Sequence, residues 1–307
     1  WRTAMVPGKT WFPRRRLLLF ICALTIVVVP ALAGHARQAK IDILRIGTSG
    51  SLSSEKKEES ALETLKAFIQ EETGLSNEIV RLKDWRELTD KMVKGELHLG
   101  VYQGYEFAWA QEKQPQLKPL ALAVNVYRYP VAYVVTQRES AAKDVAGLQG
   151  QAISIPAGVQ RFLRLFVERE SQKTGKKLEE FFSKITAPEN VEDALDDVVD
   201  GVVQASVVDR AGLEAYKRRK PGRFKKLKEV AHSQPFPPPL VAYYGDALDA
   251  VTREQFRQGL LSASQKDKGQ TMLTLFRLTG FEGVPEDFDK VLTETRKNYP
   301  PTSPTTK

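Results

Sequence analysis

The chain has 307 residues, 42% of them hydrophobic, and a formal net charge of +8. This length is typical of two domains, and the composition is that of a globular protein. The charge does not favour a nucleic-acid partner, because residues 1–34 carry five basic residues and no acidic one. The other residues hold 41 of the 46 basic side chains and all 38 acidic ones, a balance that argues against any polyanion partner. The basic cluster in residues 217–228 is interpreted as the solvated end of a helix and its loop.

The N-terminal region has the layout of a secretory signal. Three arginines at positions 14–16 precede an uncharged run at residues 17–29, and a small-residue site ends at Ala33. The run is shorter than the roughly 20 residues that a membrane-spanning helix needs. We expect residues 1–33 to be a signal peptide cleaved after Ala33, with an uncleaved anchor as the alternative. The only cysteine, Cys22, lies in this segment, so the exported chain would have neither disulfides nor thiolate metal sites.

Strand and helix patterns alternate in the first part of the mature chain. An alternating apolar run at residues 41–46 is followed by a helical pattern that ends near Gly74. Residues 77–82 are predicted to form a second strand, residues 85–93 a second helix, and residues 97–101 a third strand. This alternation is typical of a parallel sheet covered by helices.

The later part of the chain continues the alternation after a change of pattern. Its predicted strands are residues 120–126, 130–137, 152–155, 185–186 and 202–208. Its predicted helices are one beginning near residue 162 and residues 191–199, 252–262, 270–278 and 287–297. The proline-rich stretch at 231–247 is interpreted as a stiff crossing between lobes, and residues 299–307 as a disordered tail.

Two segments of the chain repeat the same arrangement. Residues 90–102 (DKMVKGELHLGVY) and 196–208 (DDVVDGVVQASVV) both read as a helix end, a glycine and an apolar strand. The glycines, Gly95 and Gly201, permit the left-handed turn that ends a helix. The repeat predicts two similar α/β lobes, one after the other.

Four segments, in their order and spacing, resemble a known family: residues 93–110, 148–156, 201–216 and 231–240. The family is that of the substrate-binding proteins of phosphonate/phosphate-type ABC transporters, and the resemblance extends over residues 44–290. It implies an α/β fold of the type II periplasmic-binding-protein kind, with two lobes and a hinge between them. Lobe 1 would comprise residues 41–127 and 233–298, and lobe 2 would comprise residues 128–232.

The resemblance also implies where a ligand binds. In the family, loops at the carboxyl ends of the strands meet the ligand from both lobes, as open α/β sheets generally do. Carried over, these loops predict a ligand site formed by Ser49, Gly50, Ser51, Tyr102, Gln103, Gly104, Tyr105, Gly158, Gln160 and Asp209. Unpaired N–H groups at a helix start bind anions, and Gly104 would let a ligand approach the backbone closely. No catalytic residue, metal site or cofactor is predicted.

Several of these residues have an alternative, purely structural interpretation. Ser49 and Ser51 precede a helix and are also suited to cap it. Arg161 is suited to an oxyanion but is also a normal solvated helix residue. Trp109 is interpreted as a core residue. In the structural alternative, Phe107 and either Tyr102 or Tyr105 also belong to the core. Glu106 is a candidate partner for a ligand amine, and His98 is interpreted as a buried histidine with satisfied hydrogen bonds.

The sequence departs from the family's pattern at several positions. His98 and Gln204 stand where the family usually has aspartate, and Phe107 stands where it often has tyrosine. Residues 156–160 (PAGVQ) replace the family's Ser-Thr-Ser-Gly loop, so the hydroxyl groups of that loop are missing. The resemblance therefore implies the fold more firmly than it implies a phosphonate ligand.

We expect an exported, periplasmic, monomeric solute-binding protein that delivers a small anion or zwitterion to an ABC permease subunit. It would meet the membrane only through its signal segment or the permease. The alternative is a ligand-sensing or signalling protein with the same fold. An enzyme is disfavoured, because the sequence has no H-E-x-x-H, G-x-S-x-G or Walker segment.

Overall fold

The computed structural model describes residues 41–49, 55–158 and 160–301, all of which belong to one compact unit. The predicted signal peptide, Gly50 and Ser51 lie outside these residues. The eleven strands of the described residues are β1 Ile43–Ser49, β2 Ser76–Leu82, β3 Leu99–Tyr102, β4 Leu117–Val124, β5 Ala132–Gln137, β6 Ala152–Ser154, β7 Lys184–Thr186, β8 Ala205–Asp209, β9 Leu227–His232, β10 Leu240–Tyr244 and β11 Gly280–Glu282.

The α-helices in the same residues lie mostly between the strands. They are α1 Glu55–Thr73, α2 Trp85–Val93, α3 Gly104–Lys113, α4 Arg161–Gln172, α5 Leu178–Phe181, α6 Val191–Val199, α7 Arg210–Arg219, α8 Pro221–Phe224, α9 Ala250–Leu261, α10 Asp267–Leu275 and α11 Phe288–Asn298. Short 3₁₀ turns occur at Ala146–Leu148 and Ala263–Gln265. The predicted helices at 85–93 and 191–199 are confirmed at both ends.

The strands form two sheets with the same plan. The order is β11-β4-β10-β3-β1-β2 in the first sheet and β7-β6-β8-β5-β9 in the second. In the first sheet β1 lies between β2 and β3, and the antiparallel strand β10 separates β3 from β4. In the second sheet β6 lies between β7 and β8, and the antiparallel strand β5 separates β8 from β9. These antiparallel strands, β10 and β5, directly follow the two passages of the chain between the sheets. The predicted two-lobed α/β fold is confirmed.

The two passages, residues 125–131 and 233–239, form the connection between the lobes. They are hydrogen-bonded to each other, since the Phe236 N–H donates to the Pro130 carbonyl at 2.8 Å. The hydroxyl of Ser233 also accepts from the Ala132 N–H at 3.0 Å. We propose lobe boundaries at 127/128 and 232/233, because each lies within or beside one of these passages.

The repeated sequence segments form the same helix ending in both lobes. Gly95 and Gly201 have φ angles of 72° and 75°, where any residue other than glycine is strained. Each glycine N–H donates to the carbonyl three residues earlier, and the next N–H donates to the carbonyl five residues earlier. These turn bonds occupy the residues after each glycine, so β3 and β8 begin later than the predicted residues 97 and 202.

Two of the positions that depart from the family, His98 and Gln204, are equivalent in the structure. Nδ1 of His98 accepts the Arg45 N–H at 2.9 Å, and the His98 N–H donates back to the Arg45 carbonyl. In lobe 2, Oε1 of Gln204 accepts the Ala152 N–H at 3.1 Å, and the Gln204 N–H donates back to the Ala152 carbonyl. Each side chain accepts a backbone N–H from the neighbouring strand, just before its own strand begins. His98 was interpreted as a buried histidine with satisfied hydrogen bonds; its Nδ1 is hydrogen-bonded, but the residue is only half-buried.

Changing His98 to glutamine should reduce the loss of stability in mild acid. Burial lowers the pKa of His98 below its ordinary value of 6.5, so the unfolded chain takes up this proton at a higher pH than the folded chain. The free energy of unfolding therefore falls as the pH drops from 6.5 to the lower folded pKa. Urea unfolding of wild type and His98→Gln at about pH 7 and about pH 5 measures the difference. An equal loss in both proteins would contradict this account.

The C-terminal residues are packed against the body of the protein. Tyr299, in the predicted disordered tail, is 6% exposed, and its carbonyl accepts the indole N–H of Trp109 at 2.7 Å. Its ring lies 4.5 Å from that of Phe236 in the connection between lobes. The tail prediction is therefore wrong at Tyr299, and residues 302–307 lie outside the described part. Within that part, the model contains no helix with the length and apolar character required to cross a membrane.

Candidate functional site

Two cavities lie where the loops at the carboxyl ends of the strands from both lobes meet. The hinge cavity, of about 500 Å³, is lined partly by the two connections, including residues 125–127 and 238–239. The aromatic cavity, of about 510 Å³, is lined by Trp85, Tyr105 and Trp109 and by residues of α4. Residues 156, 157 and 160, in the loop after β6, line both.

Helix caps place several side chains at the edges of these cavities. Asn190 follows β7 and accepts the Asp193 N–H at 2.9 Å, which starts α6 at the hinge cavity. Asp209, the last residue of β8, accepts the Gly212 N–H at 3.2 Å and so caps α7. The Gln160 side chain also donates to Asp209, and burial raises the pKa of that carboxyl. Gln160 and Asp209 therefore form one polar wall of the hinge cavity.

Positive charge reaches the hinge cavity from both lobes. Arg218 and Arg219 come from the end of α7 in lobe 2, and Arg277 comes from the segment before β11 in lobe 1. Arg219 pairs with Glu192 at 2.7 Å. Within the described residues, the side chains of Arg218 and Arg277 make neither a hydrogen bond nor an ion pair. Both residues are exposed, and Arg218 also interacts electrostatically with Glu214. Two guanidinium groups with no close ion pair in the described part of the chain therefore line one cavity.

The basic cluster predicted as a solvated helix end has two parts in the structure. Lys220 and Arg223 bind the carboxylate of Asp196, which also accepts the Tyr216 hydroxyl at 2.6 Å. These contacts join α7 and α8 to α6, so this part of the cluster is structural. Arg218 is excluded from the network and lines the hinge cavity instead.

The backbone at the wall of the hinge cavity is strained at two places. Val126 has a φ of 62° and Arg277 a φ of 55°, both in the left-handed region that residues other than glycine seldom adopt. The Val126 N–H donates to the Thr279 hydroxyl at 3.0 Å, which links the connection to the segment that carries Arg277. Such strain is concentrated at binding sites and hinges.

The structure corrects the expected role of Gly104. A Cβ atom at this position would lie 2.5 Å from the carbonyl oxygen of Pro238 and still closer to that of Pro237. Because Gly104 has no side chain, residues 237–238 of the connection between lobes can pack against the start of α3. These residues fill the space that we assigned to a ligand.

The expected anion site at the start of α3 is filled by a side chain of the same helix. Oε2 of Glu106 accepts the Ser49 hydroxyl at 2.6 Å and the Gln103 N–H at 3.4 Å. Glu106 is 6% exposed, and burial is the largest cause that raises the pKa of its carboxyl. This arrangement is a capping box, in which the helix supplies its own anion. The start of α3 therefore has no free anion site of the kind we expected.

Tyr102 lies in the core and not at the ligand site. It is 1% exposed, and its hydroxyl lies 3.0 Å from that of Thr89 and 3.4 Å from the sulfur of Met92. It lines neither cavity. The prediction that its phenol faces a ligand is therefore corrected, whereas Phe107, fully buried, has the core position expected for it.

Tyr105 lies at the wall of the aromatic cavity. Its ring is 5.0 Å from that of Trp109, which is 5.9 Å from that of Trp85. Tyr105 is 8% exposed, and burial raises the pKa of its hydroxyl. Across the cavity, Nη1 of Arg161 lies 3.8 Å from Oε1 of Glu106, which is an ion pair between the lobes.

The predicted site residues are thus divided between the two cavities. Gln103, Gln160 and Asp209 line the hinge cavity, whereas Tyr105, Gly158 and Gln160 line the aromatic cavity. Ser49 touches Glu106 behind the aromatic cavity, and Gly158 has a φ of 128° with open space around it.

Among the wall residues that sequence reasoning missed are Trp85, Asn190, Arg218 and Arg277. Trp85 and Asn190 follow strands β2 and β7, so applying the strand-end rule to every strand would have found them. Arg277 has no comparable signal, because it reaches the cavity through a turn before the short strand β11. No cluster of three or more histidine, cysteine or acidic side chains suited to a metal ion occurs in the described residues.

Comparisons with known proteins concern the fold and the family of the chain. A family model described as the periplasmic substrate-binding protein of phosphonate ABC transporters matches residues 50–287. XAC2383 from Xanthomonas citri bound to chloride ion has a TM-score of 0.58 and 15% identity, covering 84% of this chain and 98% of that chain. PhnD1 from Prochlorococcus marinus in complex with methylphosphonate has a TM-score of 0.57 and 12% identity, covering 83% and 97%.

A binding protein component of an ABC phosphonate transporter from Pseudomonas aeruginosa has a TM-score of 0.54 and 12% identity, covering 83% of this chain and 87% of that chain. Among curated proteins there is no match to this chain. At these identities the solved structures establish the two-lobed fold of periplasmic binding proteins, and the family model covers well over half of the sequence. The chain belongs to the family of periplasmic substrate-binding proteins of phosphonate ABC transporters.

Proposed function

We propose that this protein binds a small oxyanion, of the phosphonate or phosphate class, in the hinge cavity and delivers it to an ABC permease. The observation that carries the proposal is a pair of exposed guanidinium groups, Arg218 from lobe 2 and Arg277 from lobe 1, which line one cavity without a close ion pair in the described residues. Guanidinium groups match the geometry of phosphoryl and carboxylate oxygens and bind them bidentately.

The arginines offer a physical replacement for the family's missing hydroxyl groups. The loop at residues 156–160 has no serine or threonine, so its side chains cannot donate hydroxyl hydrogen bonds to an oxyanion. Charge-assisted hydrogen bonds from guanidinium are stronger than those from a neutral hydroxyl. The carboxylate of Asp209 in the same wall can pair with a ligand amine beside the oxyanion. A zwitterion therefore fits the proposal as well.

A ligand held by both lobes would couple binding to closure. An anion that contacts Arg218 and Arg277 together interacts more strongly with the closed form than with an open one, and it therefore shifts the population towards closure. We propose that the closed form, in the periplasm, docks on the permease. If the protein binds the ligand but deletion of its gene does not reduce uptake of that ligand, the protein is instead a sensor with the same fold.

A thermal-shift screen tests the proposed ligand class. Phosphate, phosphite, methylphosphonate and an aminoalkylphosphonate are compared with sulfonates, carboxylates and amino acids at matched ionic strength. A ligand at 100 times its Kd adds about 2.7 kcal/mol, enough to raise the Tm by about 5 °C in a protein of this size. We expect the shift with a phosphorus oxyanion. A shift with another class alone would reassign the ligand, and none at all would contradict ligand capture.

A further inference from the structure

The hinge cavity is larger than a bare oxyanion requires. Its volume is about 500 Å³. Ligand pockets of about 300–1,000 Å³ bury most of the surface of a drug-sized molecule. Phosphate or methylphosphonate has only a handful of heavy atoms and would fill a small part of this space. The remaining volume therefore indicates a substituent on the oxyanion, and the residues around that volume indicate its chemistry.

The wall that lobe 1 contributes to this cavity is largely apolar. It includes Val126, Phe276 and Leu278. These residues form one patch, because the Val126 N–H donates to the Thr279 hydroxyl at 3.0 Å, directly after Leu278. Val126 is 59% exposed, and Phe276 and Leu278 are half-buried. Since Arg277 also lines the cavity, a guanidinium group lies beside this apolar patch.

The conformation of Val126 favours a role for its apolar side chain. Its φ of 62° is a genuine outlier for a β-branched residue. Glycine or asparagine adopts this region with less strain. Such strain persists where the surrounding structure imposes it, and it is concentrated at ligand sites. A strained valine that is left exposed at a cavity wall therefore favours an apolar contact with a ligand.

The wall that lobe 2 contributes has small side chains next to its guanidinium group. Helix α7 lines the cavity with Ala211, Ala215 and Arg218, among others. Their spacing of four and three residues places them on one face of the helix. The two alanines leave space for an organic group on the same face as Arg218. The cavity thus has apolar surface and one guanidinium group from each lobe.

We infer that the ligand of the hinge cavity is a phosphorus oxyanion with a bulky apolar substituent, such as an arylphosphonate, which Val126, Phe276 and Leu278 select over phosphate and methylphosphonate. This inference rests on the function proposed above. The guanidinium groups of Arg218 and Arg277 bind the oxygens, and the apolar patch removes the substituent from water. Burial of each additional methylene group strengthens binding about fourfold.

Calorimetric titration with phosphate, methylphosphonate, n-propylphosphonate and phenylphosphonate tests this inference. We expect n-propylphosphonate and phenylphosphonate each to bind about tenfold or more tightly than methylphosphonate. Benzyl alcohol, which has the ring without the oxyanion, should not bind. Phenylphosphonate binding no tighter than methylphosphonate, or saturable binding of benzyl alcohol, would overturn the inference.

Two variants test the walls through the ratio of the affinities for phenylphosphonate and methylphosphonate. Val126→Asn removes an apolar contact and should fold well, because asparagine tolerates the left-handed region better than valine. Ala215→Leu fills the space beside the patch. Each should lower the ratio about threefold or more, and a ratio equal to that of wild type in either variant would overturn the inference. If Ala215→Leu fails to fold, Val126→Asn alone decides.

Val251→Asn is the matched control for Val126→Asn. Val251 lies on α9, is 68% exposed and lines neither cavity. The same chemical change at this position should leave the ratio of the two affinities equal to that of wild type. A ratio that falls equally in both variants would overturn the role of Val126.

The same titrations distinguish failure of this inference from failure of the proposed function. A protein that binds phosphate or methylphosphonate at least as tightly as phenylphosphonate overturns only the preference for an apolar substituent. A protein that binds none of these oxyanions contradicts the function proposed for the hinge cavity, and this inference is then overturned with it.

Discussion

Replacement of Gly104 by alanine should lower the free energy of unfolding by about 3 kcal/mol or more. The added Cβ would lie 2.5 Å from the Pro238 carbonyl oxygen and closer still to that of Pro237. Both obstacles are backbone atoms of a stiff proline segment, so no side chain can rotate away to relieve the overlap. Urea unfolding of the wild-type and variant proteins measures the loss.

Gly222→Ala is the matched control for Gly104→Ala. Gly222 lies in α8, its φ is not in the left-handed region, and a Cβ there would meet no atom within 4 Å. The same chemical change should therefore leave stability unchanged or raise it by up to about 1 kcal/mol. A cost below about 1 kcal/mol at Gly104 would mean that the connection does not pack against α3 as described.

The double variant Arg218→Gln/Arg277→Gln should weaken oxyanion binding at least 100-fold. A hydrogen bond to a charged group contributes about 1.5–3 kcal/mol, and every 1.4 kcal/mol changes Kd tenfold. Each single variant should therefore lose about tenfold or more. The measurement is calorimetric titration with whichever oxyanion gives the largest thermal shift.

Arg257→Gln is the matched control for these charge changes. Arg257 lies on α9, pairs with Glu254 at 2.7 Å and lines neither cavity, so its loss removes the same charge from a distant surface. We expect its oxyanion affinity to equal that of wild type. Equal affinities in the control and the double variant would mean that Arg218 and Arg277 do not bind the oxyanion.

Much of the fold was accessible from the sequence because it rests on local patterns. The helices at 85–93 and 191–199 were predicted from the helical pattern of the sequence. In the structure, Asp84 and Asn190 cap them. The repeated glycine turns at Gly95 and Gly201 revealed the two similar lobes. Predicted strands such as 202–208 began too early, because residues after the glycine are apolar but still belong to the turn.

The site was less accessible because its geometry depends on contacts distant in sequence. The strand-end rule correctly brought Gln103, Gln160 and Asp209 to one cavity. No local pattern indicates that residues 237–238 fill the space beside Gly104, or that α7 and the turn before β11 bring Arg218 and Arg277 together. The basic cluster in residues 217–228 also indicates a solvated helix end as long as its acidic partners on α6 are unknown.

The most direct test of the central claim is a crystal structure of the protein with the oxyanion that gives the largest thermal shift. The account predicts density for the anion in the hinge cavity, within hydrogen-bond distance of the guanidinium groups of both Arg218 and Arg277. Density for the oxyanion in the aromatic cavity, or in contact with one lobe alone, would contradict it.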